Sequence, residues 1–249
     1  MTRVSIIGLG LMGGSLGLAL KGLQAPPAVR GYARRAEARR EALAAGVIDD
    51  AAEDLAGAVC GADLVVFCVP VLTIPALVEQ CRDAFKRGAV VTDVGSTKAE
   101  LVRGVSNLLE DSPASFVGSH PMAGSEETGL GAACPTLYRK ATVVVTPGPG
   151  QAAGDPAVQL VCDFWQQLGS RVVCLDPSEH DRIVARTSHL PHIVAAALVS
   201  TVLRDDMDRS ADLCGSGFRD TTRIAAGSEL MWHDIIKTNR DVIADELGR

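Results

Sequence analysis

The sequence has no excess of positive charge. Its 24 Lys and Arg face 30 Asp and Glu, a net charge of -6, which argues against a chain built to coat nucleic acid. None of its 7 cysteines stands in a Cys-x-x-Cys pair. Cys60, Cys68, Cys81 and Cys162 lie in apolar stretches and read as reduced, small core residues of a cytoplasmic protein. With only 5 histidines and no adjacent cysteine cluster, no metal is expected. Met1-Thr2-Arg3 enters an apolar strand at once, without the n-region, h-region and cleavage site of a signal peptide. No apolar run reaches about 18 residues, so no membrane span is expected. Internal repeats and low-complexity tracts are absent too. What is present is ordinary globular material, 47% hydrophobic and 22% charged. A length of 249 residues suits one large domain or two smaller ones.

The N-terminal stretch is the first informative one. Val4–Ile7 is too short an apolar run for a helix. Gly8, Gly10 and Gly13 follow, and then a helical pattern from Ser15. Strand, glycine turn and helix is the context in which this spacing points to dinucleotide binding. Gly8 permits the tight turn, Gly10 lets a pyrophosphate approach the backbone, and Gly13 lets helix and strand pack closely. The helix N-terminus offers the phosphates unpaired N–H groups and a favourable dipole. After the second strand, Val29–Tyr32, an NAD-preferring site carries Asp or Glu. Here Ala33, Arg34 and Arg35 stand instead. Two guanidiniums suit a 2′-phosphate, so NADP is favoured over NAD. The bland reading of these arginines is a solvated cluster that also includes Arg39 and Arg40.

Leu64–Val69 and Ala89–Thr92 are apolar strands of the kind a parallel sheet buries on both faces. The first ends at Val69-Pro70, the second in Asp93-Val94-Gly95-Ser96-Thr97-Lys98. Ser115–Val117 is a third strand end. In Gly118-Ser119-His120-Pro121-Met122-Ala123-Gly124-Ser125, two glycines and a proline argue against regular structure. His120, restricted by Pro121, is expected at the rim of the sheet. A satisfied loop histidine is the competing reading. Ligands gather outside the carboxyl ends of strands in open α/β sheets. The Gly8 turn, Val69-Pro70, Ser96 and His120 are therefore expected around one crevice.

A further strand (Ala141–Thr146), helix (Asp155–Leu168) and strand (Arg171–Leu175) complete an α/β unit of residues 1–176. Asp176-Pro177-Ser178-Glu179 is a helix start, with Asp at the N-cap, Pro at N1 and Glu at N3. This helix should run towards Leu203, kinked where Pro191 pushes on the carbonyl of Thr187. His189 and His192 lie near one face of it and read as core or kink-lining residues. A polar segment, Arg204–Asp212, precedes a last helix expected from Ser228 to Leu247. Residues 177–249 are thus all helical. Arg223 follows Asp220-Thr221-Thr222 and looks placed; an ion pair with Asp220 is its structural alternative.

Taken together, Gly8-Leu9-Gly10-Leu11-Met12-Gly13-Gly14-Ser15-Leu16, Asp93–Lys98, Gly118–Gly124, Ser188-His189-Leu190-Pro191-His192 and Gly217-Phe218-Arg219-Asp220-Thr221-Thr222-Arg223-Ile224-Ala225 resemble the prephenate/arogenate dehydrogenases of tyrosine biosynthesis. The resemblance implies a Rossmann-type dinucleotide-binding domain followed by an all-helical domain that binds substrate and makes a homodimer. It implies oxidative decarboxylation of a cyclohexadienyl acid, arogenate or prephenate. The family association of NADP tilts the choice to arogenate. His120 matches the catalytic histidine that takes the proton of the 4-hydroxyl, and Ser96 the serine that aligns hydroxyl, histidine and nicotinamide. Arg223 matches the arginine that grips a substrate carboxylate. Ser188 and His192 match pocket-lining positions, and Ser125 and Glu126 lie where the pocket closes. Gly8, Leu9, Gly10, Leu11, Met12, Gly13, Arg34, Arg35, Val69 and Ser96 are the expected dinucleotide contacts. Two features depart from the family pattern: the sequence ends at Arg249, and Arg204–Asp212 is short and charged for a dimerising domain. A β-hydroxyacid dehydrogenase would need a catalytic lysine where Ser188–His192 stand. A dinucleotide-sensing module without turnover would not need Ser96, His120 and Arg223 together.

Overall fold

Along β1 (Arg3–Ile7), Val4 and Ile6 pack to one side of a sheet and Ile7 to the other, the two-residue alternation of an extended chain. The computed structural model describes residues 1–125, 127–204 and 207–248. The chain divides into two compact units, Met1–His180 and Asp181–Arg249.

In the first unit, β1, β2 (Ala28–Tyr32), β3 (Asp50–Ala51), β4 (Leu64–Phe67), β5 (Val90–Asp93) and β6 (Ser115–Phe116) form a parallel sheet in the order β3-β2-β1-β4-β5-β6. This is the order of a doubly wound dinucleotide-binding domain. Helices α1 (Leu11–Lys21) and α2 (Ala36–Ala44) follow β1 and β2; α3 (Leu55–Val59), α4 (Ile74–Cys81) and α5 (Ala99–Leu108) follow β3, β4 and β5. One face of the sheet buries Val4, Ile6, Leu64 and Val66 with Leu16 and Leu20 of α1. The other buries Ile7, Val65, Phe67 and Val91 with Val78 of α4 and Val102 of α5. Continuous apolar strands are what such double coverage requires.

The Gly118–Ser125 stretch corrects the expectation of irregular backbone. Gly118–Pro121 is a strand, β7, in a second sheet with β8 (Thr142–Thr146) and β9 (Arg171–Cys174). Strand β7 runs antiparallel to β8, with His120 opposite Val144 and Pro121 opposite Val143. Because β7 is the edge of this sheet, Pro121 can end it without breaking a ladder on its far side. His120 therefore belongs to the second sheet, beyond β6, rather than to a strand end of the parallel sheet. Helix α6 (Pro156–Gln167) joins β8 to β9 and buries Val158, Val161, Phe164 and Trp165; Asp155 caps it, accepting from the Ala157 N–H at 2.8 Å.

Helix α7 (Pro177–Val184) starts as its sequence dictates: the Asp176 carboxylate accepts from the N–H groups of Ser178 (2.8 Å) and Glu179 (3.1 Å). It passes into the second unit. Instead of a simple kink at Pro191, the helix makes a π turn over Ala185–His189 and resumes as α8 (Leu190–Val202). Pro191 then stands in the first turn of α8, where a missing N–H is tolerated. The run Pro177–Val202 includes an 18-residue window of mean hydropathy 1.2, so by length and composition alone it is apolar enough to cross a membrane. A count of uninterrupted apolar residues passes over this window because Ser, Thr and His punctuate it.

Helices α9 (Met207–Leu213) and α10 (Ser216–Thr222), a short 3-10 turn (Arg223–Ala226), α11 (Glu229–Thr238) and α12 (Arg240–Leu247) complete the second unit. The single helix expected over Ser228–Leu247 is two, because Asn239 leaves helical backbone at φ -126°. Its buried side-chain amide donates to the Asp181 carbonyl at 2.9 Å and lies 3.2 Å from His189 Nδ1. Two of the cysteines also differ from expectation: Cys81 and Cys162 are buried, but Cys60 is exposed and Cys68 only partly covered.

Candidate active site

The three glycines of the first turn divide the labour that their spacing implies. Gly8 has φ +103°, and a side chain there would meet the Cys68 carbonyl at 2.3 Å and Val69 Cγ1 at 2.7 Å. A side chain at Gly13 would lie 1.9 Å from the Gly8 carbonyl oxygen. At Gly10 nothing stands within 4 Å. So the protein fills the space beside the first and third glycines and leaves open the one where a pyrophosphate would approach. Gly10 is the N-cap of α1, with no side chain capping it, so the helix N–H groups are presented to an anion. Leu9, Leu11 and Met12 frame this turn, and the Tyr138 hydroxyl fastens it by donating to the Met12 carbonyl at 2.7 Å. These features fit a dinucleotide.

Arg34 and Arg35 follow β2, exposed to solvent, with Arg35 at the N-cap of α2. The other arginines of the cluster are engaged elsewhere. Arg39 donates to the Ala33 carbonyl at 2.7 Å and lies over the Tyr32 ring, and Arg40 pairs with Glu37 at 3.0 Å.

Ser96 lies on the loop from β5 to α5. The buried Asp93 carboxylate organises this loop and the neighbouring strand together. Its Oδ2 accepts from the Gly95 N–H at 2.7 Å and pairs with Lys98; its Oδ1 accepts from the Ser119 N–H at 3.1 Å. Burial pushes the Asp93 carboxyl up against the pull of Lys98 and these N–H groups. Ser119 adds further ties: its hydroxyl donates to the Asp93 carbonyl (2.6 Å) and accepts from Trp165 Nε1 (3.0 Å). His120 is the next residue. It is 9% exposed, and its Nδ1 lies 2.9 Å from Nε2 of the fully buried His180. Thus β7 holds His120 by bonds to β5, α6 and the start of α7, all within the first unit. Ser125 is exposed, and its hydroxyl accepts from the Glu127 N–H at 3.2 Å. Glu126 lies outside the described residues.

The second unit carries the other expected site residues. Ser188 is exposed on the π turn. His192 is buried and stacked on Trp232, with ring centroids 3.4 Å apart and planes 7° from parallel. Burial pushes its pKa down, against a backbone hydrogen bond at Ile224. Its Nδ1 is buried with no hydrogen-bond partner among the described residues. Arg223, exposed, opens the 3-10 turn packed on α8. His192 and Arg223 are thereby tied to one corner of this unit. No ion pair between Arg223 and Asp220 is among the described contacts.

Three participants escape sequence reasoning. Asp93 is visible there only as part of a motif, His180 as one residue of a helix start, and Trp232 as an unremarked helical aromatic. Among the described residues no three His, Cys, Asp or Glu side chains cluster as metal ligands. A cleft of about 630 Å³ opens between the start of α5, the Pro147–Gln151 loop and the start of α7. It holds none of the site residues expected from the sequence.

A dinucleotide cradle, a serine loop and a buried histidine on adjoining strands, followed in the chain by a helical unit, agree with the comparisons to known proteins. Residues 16–174 match the prephenate dehydrogenase nucleotide-binding domain, and residues 176–249 the prephenate dehydrogenase dimerization domain. The chain is 37% identical to the prephenate dehydrogenase of Bacillus subtilis over 97% of its own length and 65% of that protein's. It therefore spans slightly less than two thirds of that relative. The structure of prephenate dehydrogenase from A. aeolicus in complex with hydroxyphenyl propionate and NAD+ superposes with a TM-score of 0.91 at 31% identity, covering 100% of this chain and 86% of that one. Synechocystis arogenate dehydrogenase gives 0.81 at 29% identity, covering 99% and 87%. With both domain models matched in order across nearly the whole chain, the protein belongs to the prephenate dehydrogenase family.

Proposed function

We propose that this protein is an NAD(P)-dependent dehydrogenase of tyrosine biosynthesis that oxidatively decarboxylates arogenate or prephenate, with arogenate and NADP favoured. The observation that carries the reading is the seat of His120. It is a buried imidazole on a strand tied through Asp93 to the Ser96 loop, in a domain that also carries a dinucleotide cradle.

A nicotinamide dinucleotide held at the Gly8–Gly13 turn and the start of α1 would supply the acceptor for the hydride of ring C4. His120 takes the proton of the 4-hydroxyl, which pushes electron density towards the breaking C–H bond. The hydroxyl becomes a carbonyl, and loss of the ring carboxylate as CO2 makes the ring aromatic. Ser96 holds the hydroxyl in line, and Arg223 grips a substrate carboxylate. By the family resemblance, Ser188 and His192 are assigned to substrate contact and Ser125 and Glu126 to closure around it. The protein's main contribution is orientation and base assistance, because aromatisation supplies the driving force for carboxylate loss.

The preference for NADP rests on Arg34 and Arg35, exposed after β2 with no carboxylate beside them at Ala33. The Synechocystis neighbour is an arogenate dehydrogenase, and the A. aeolicus prephenate dehydrogenase was captured with NAD+. Relatives of this fold thus differ in the acid they act on. A homodimer is supported by the match to a dimerization domain and by apolar side chains left exposed on the second unit, Val194, Leu213 and Leu230 among them. The scattered cysteines, with no Cys-x-x-Cys pair, support the reading of a cytoplasmic protein.

The test is a two-by-two assay, prephenate or arogenate with NAD or NADP, read as reduced nucleotide. Activity with arogenate and NADP supports the full reading. Activity only in another cell corrects substrate or cofactor, and silence in all four rejects the enzyme. Replacing Arg34 and Arg35 together with Ser should raise the KM for NADP about tenfold or more and leave that for NAD within about threefold.

A further inference from the structure

We propose that His180 is a positioning residue that holds His120 in the one tautomer able to act as a base. The inference rests on the proposed role of His120. Two imidazoles meet edge to face, with Nδ1 of His120 and Nε2 of His180 2.9 Å apart and ring planes at 72°. One proton lies between these nitrogens when both rings are neutral. If it sat on His180, His120 would carry its own proton on Nε2 and present a donor to the substrate hydroxyl. A base needs the reverse. The Nδ1–H of His120 donates to Nε2 of His180, and the His120 lone pair is on Nε2.

The rest of the local structure makes this arrangement durable. His180 is fully buried in the first turns of α7, a helix whose start is fixed by the Asp176 cap. The His180 N–H donates to the Asp176 carbonyl at 2.9 Å. His120 is fixed from the other side by the Ser119 bonds to β5 and α6. Both rings are thus carried on backbone that is hydrogen-bonded into neighbouring elements. When His120 takes a proton, the imidazolium keeps the same donor bond to His180, so the protonated product needs no rearrangement. An acceptor behind a catalytic histidine sets its tautomer in the same way when the acceptor is a carboxylate; here it is a second imidazole.

The experiment uses the full chain, with dinucleotide bound. Long-range ¹H–¹⁵N NMR of the unsubstituted protein reads the tautomer directly: Nδ1–H at His120 supports the proposal, and Nε2–H overturns it. In kinetics, His180→Leu removes the acceptor, while His180→Gln sets an amide oxygen near the place of Nε2. His180→Leu should lower kcat by about 100-fold with substrate and dinucleotide KM changed less than about threefold, and His180→Gln should recover to within about tenfold of the original. Equal losses in both variants, or a kcat for His180→Leu within about threefold of the original, would mean that His180 is merely a packed core residue. If His180→Leu does not fold, the NMR measurement and His180→Gln still decide. Absence of turnover in the unsubstituted protein would instead reject the catalytic reading of His120, a different outcome from turnover that ignores His180.

Discussion

The carboxylate of Asp93 accepts from the backbone N–H of Ser119 at 3.1 Å, so the last residue of β5 holds the strand of the neighbouring sheet that carries His120. The same group holds Gly95, one residue before Ser96. Serine loop and histidine strand thus share a single anchor. Asp93→Asn exchanges one acceptor oxygen for a donor amide and leaves the buried Lys98 without its carboxylate. We expect kcat to fall about tenfold or more and Tm to drop by several degrees, as when one partner of a buried pair is removed. Unchanged kcat in a folded Asp93→Asn protein would show that the two groups are positioned independently.

Two glycines of the cradle should respond in opposite ways. Gly10→Ala meets no protein atom within 4 Å, so its Tm should stay within about 2 °C of the original. Its methyl intrudes where the pyrophosphate approaches, and dinucleotide Kd should rise about tenfold or more. Gly13→Ala drives a methyl to 1.9 Å from the Gly8 carbonyl, so stability should fall along with binding. Calorimetric titration and thermal melting separate the two; tight binding by Gly10→Ala would remove that face from the cofactor site.

His120→Asn should keep dinucleotide affinity within about threefold while cutting kcat by about 10² to 10⁴. Arg223→Ala should act chiefly on the substrate KM, raising it about tenfold or more. A fully active His120→Asn enzyme would overturn the base assignment, and an unmoved KM would take Arg223 out of the pocket.

Acid stability should depend on Asp63. Partial burial raises its pKa, but Lys86 and hydrogen bonds from Thr2 and Arg3 outweigh burial and hold the carboxyl well below the usual carboxylate range. The unfolded chain therefore binds this proton more readily than the folded one. The stabilisation is complete above the unfolded pKa of about 4 and is lost as the pH falls through the folded value. At pH 7, Asp63→Asn should melt about 2–4 °C lower than the original. The gap should narrow in melts below about pH 4. A gap that stayed constant with pH would mean that the carboxylate charge contributes nothing.

The parts legible in the sequence are those whose causes are local. The Gly8 turn, the opening beside Gly10 and the cap at Asp176 each depend on residues a few positions apart, and spacing alone reveals them. Strand β7 is not legible. Its glycine and proline argue against a strand, and what makes it one is distant: the β8 ladder, the Asp93 carboxylate and the Trp165 indole. Asn239 likewise looks like a tolerable helix residue until the Asp181 carbonyl is brought to its side chain. His180 shows the same limit at the candidate site. Its role depends on a partner 60 positions away, which spacing along the chain does not reveal.

The π turn at Ala185–His189 carries a consequence for anyone comparing or re-engineering this helix. A wide turn accommodates one residue more than an α-helical turn does, and one residue advances a helix by about 100°. A helical wheel drawn straight through from Pro177 to Val202 is therefore out of phase beyond His189. Deleting one residue within 185–189 would restore a continuous screw and leave Ala195, and the His192 ring that rests on Trp232, at the azimuth they have now. An alignment gap at this spot is a change of length that preserves azimuth.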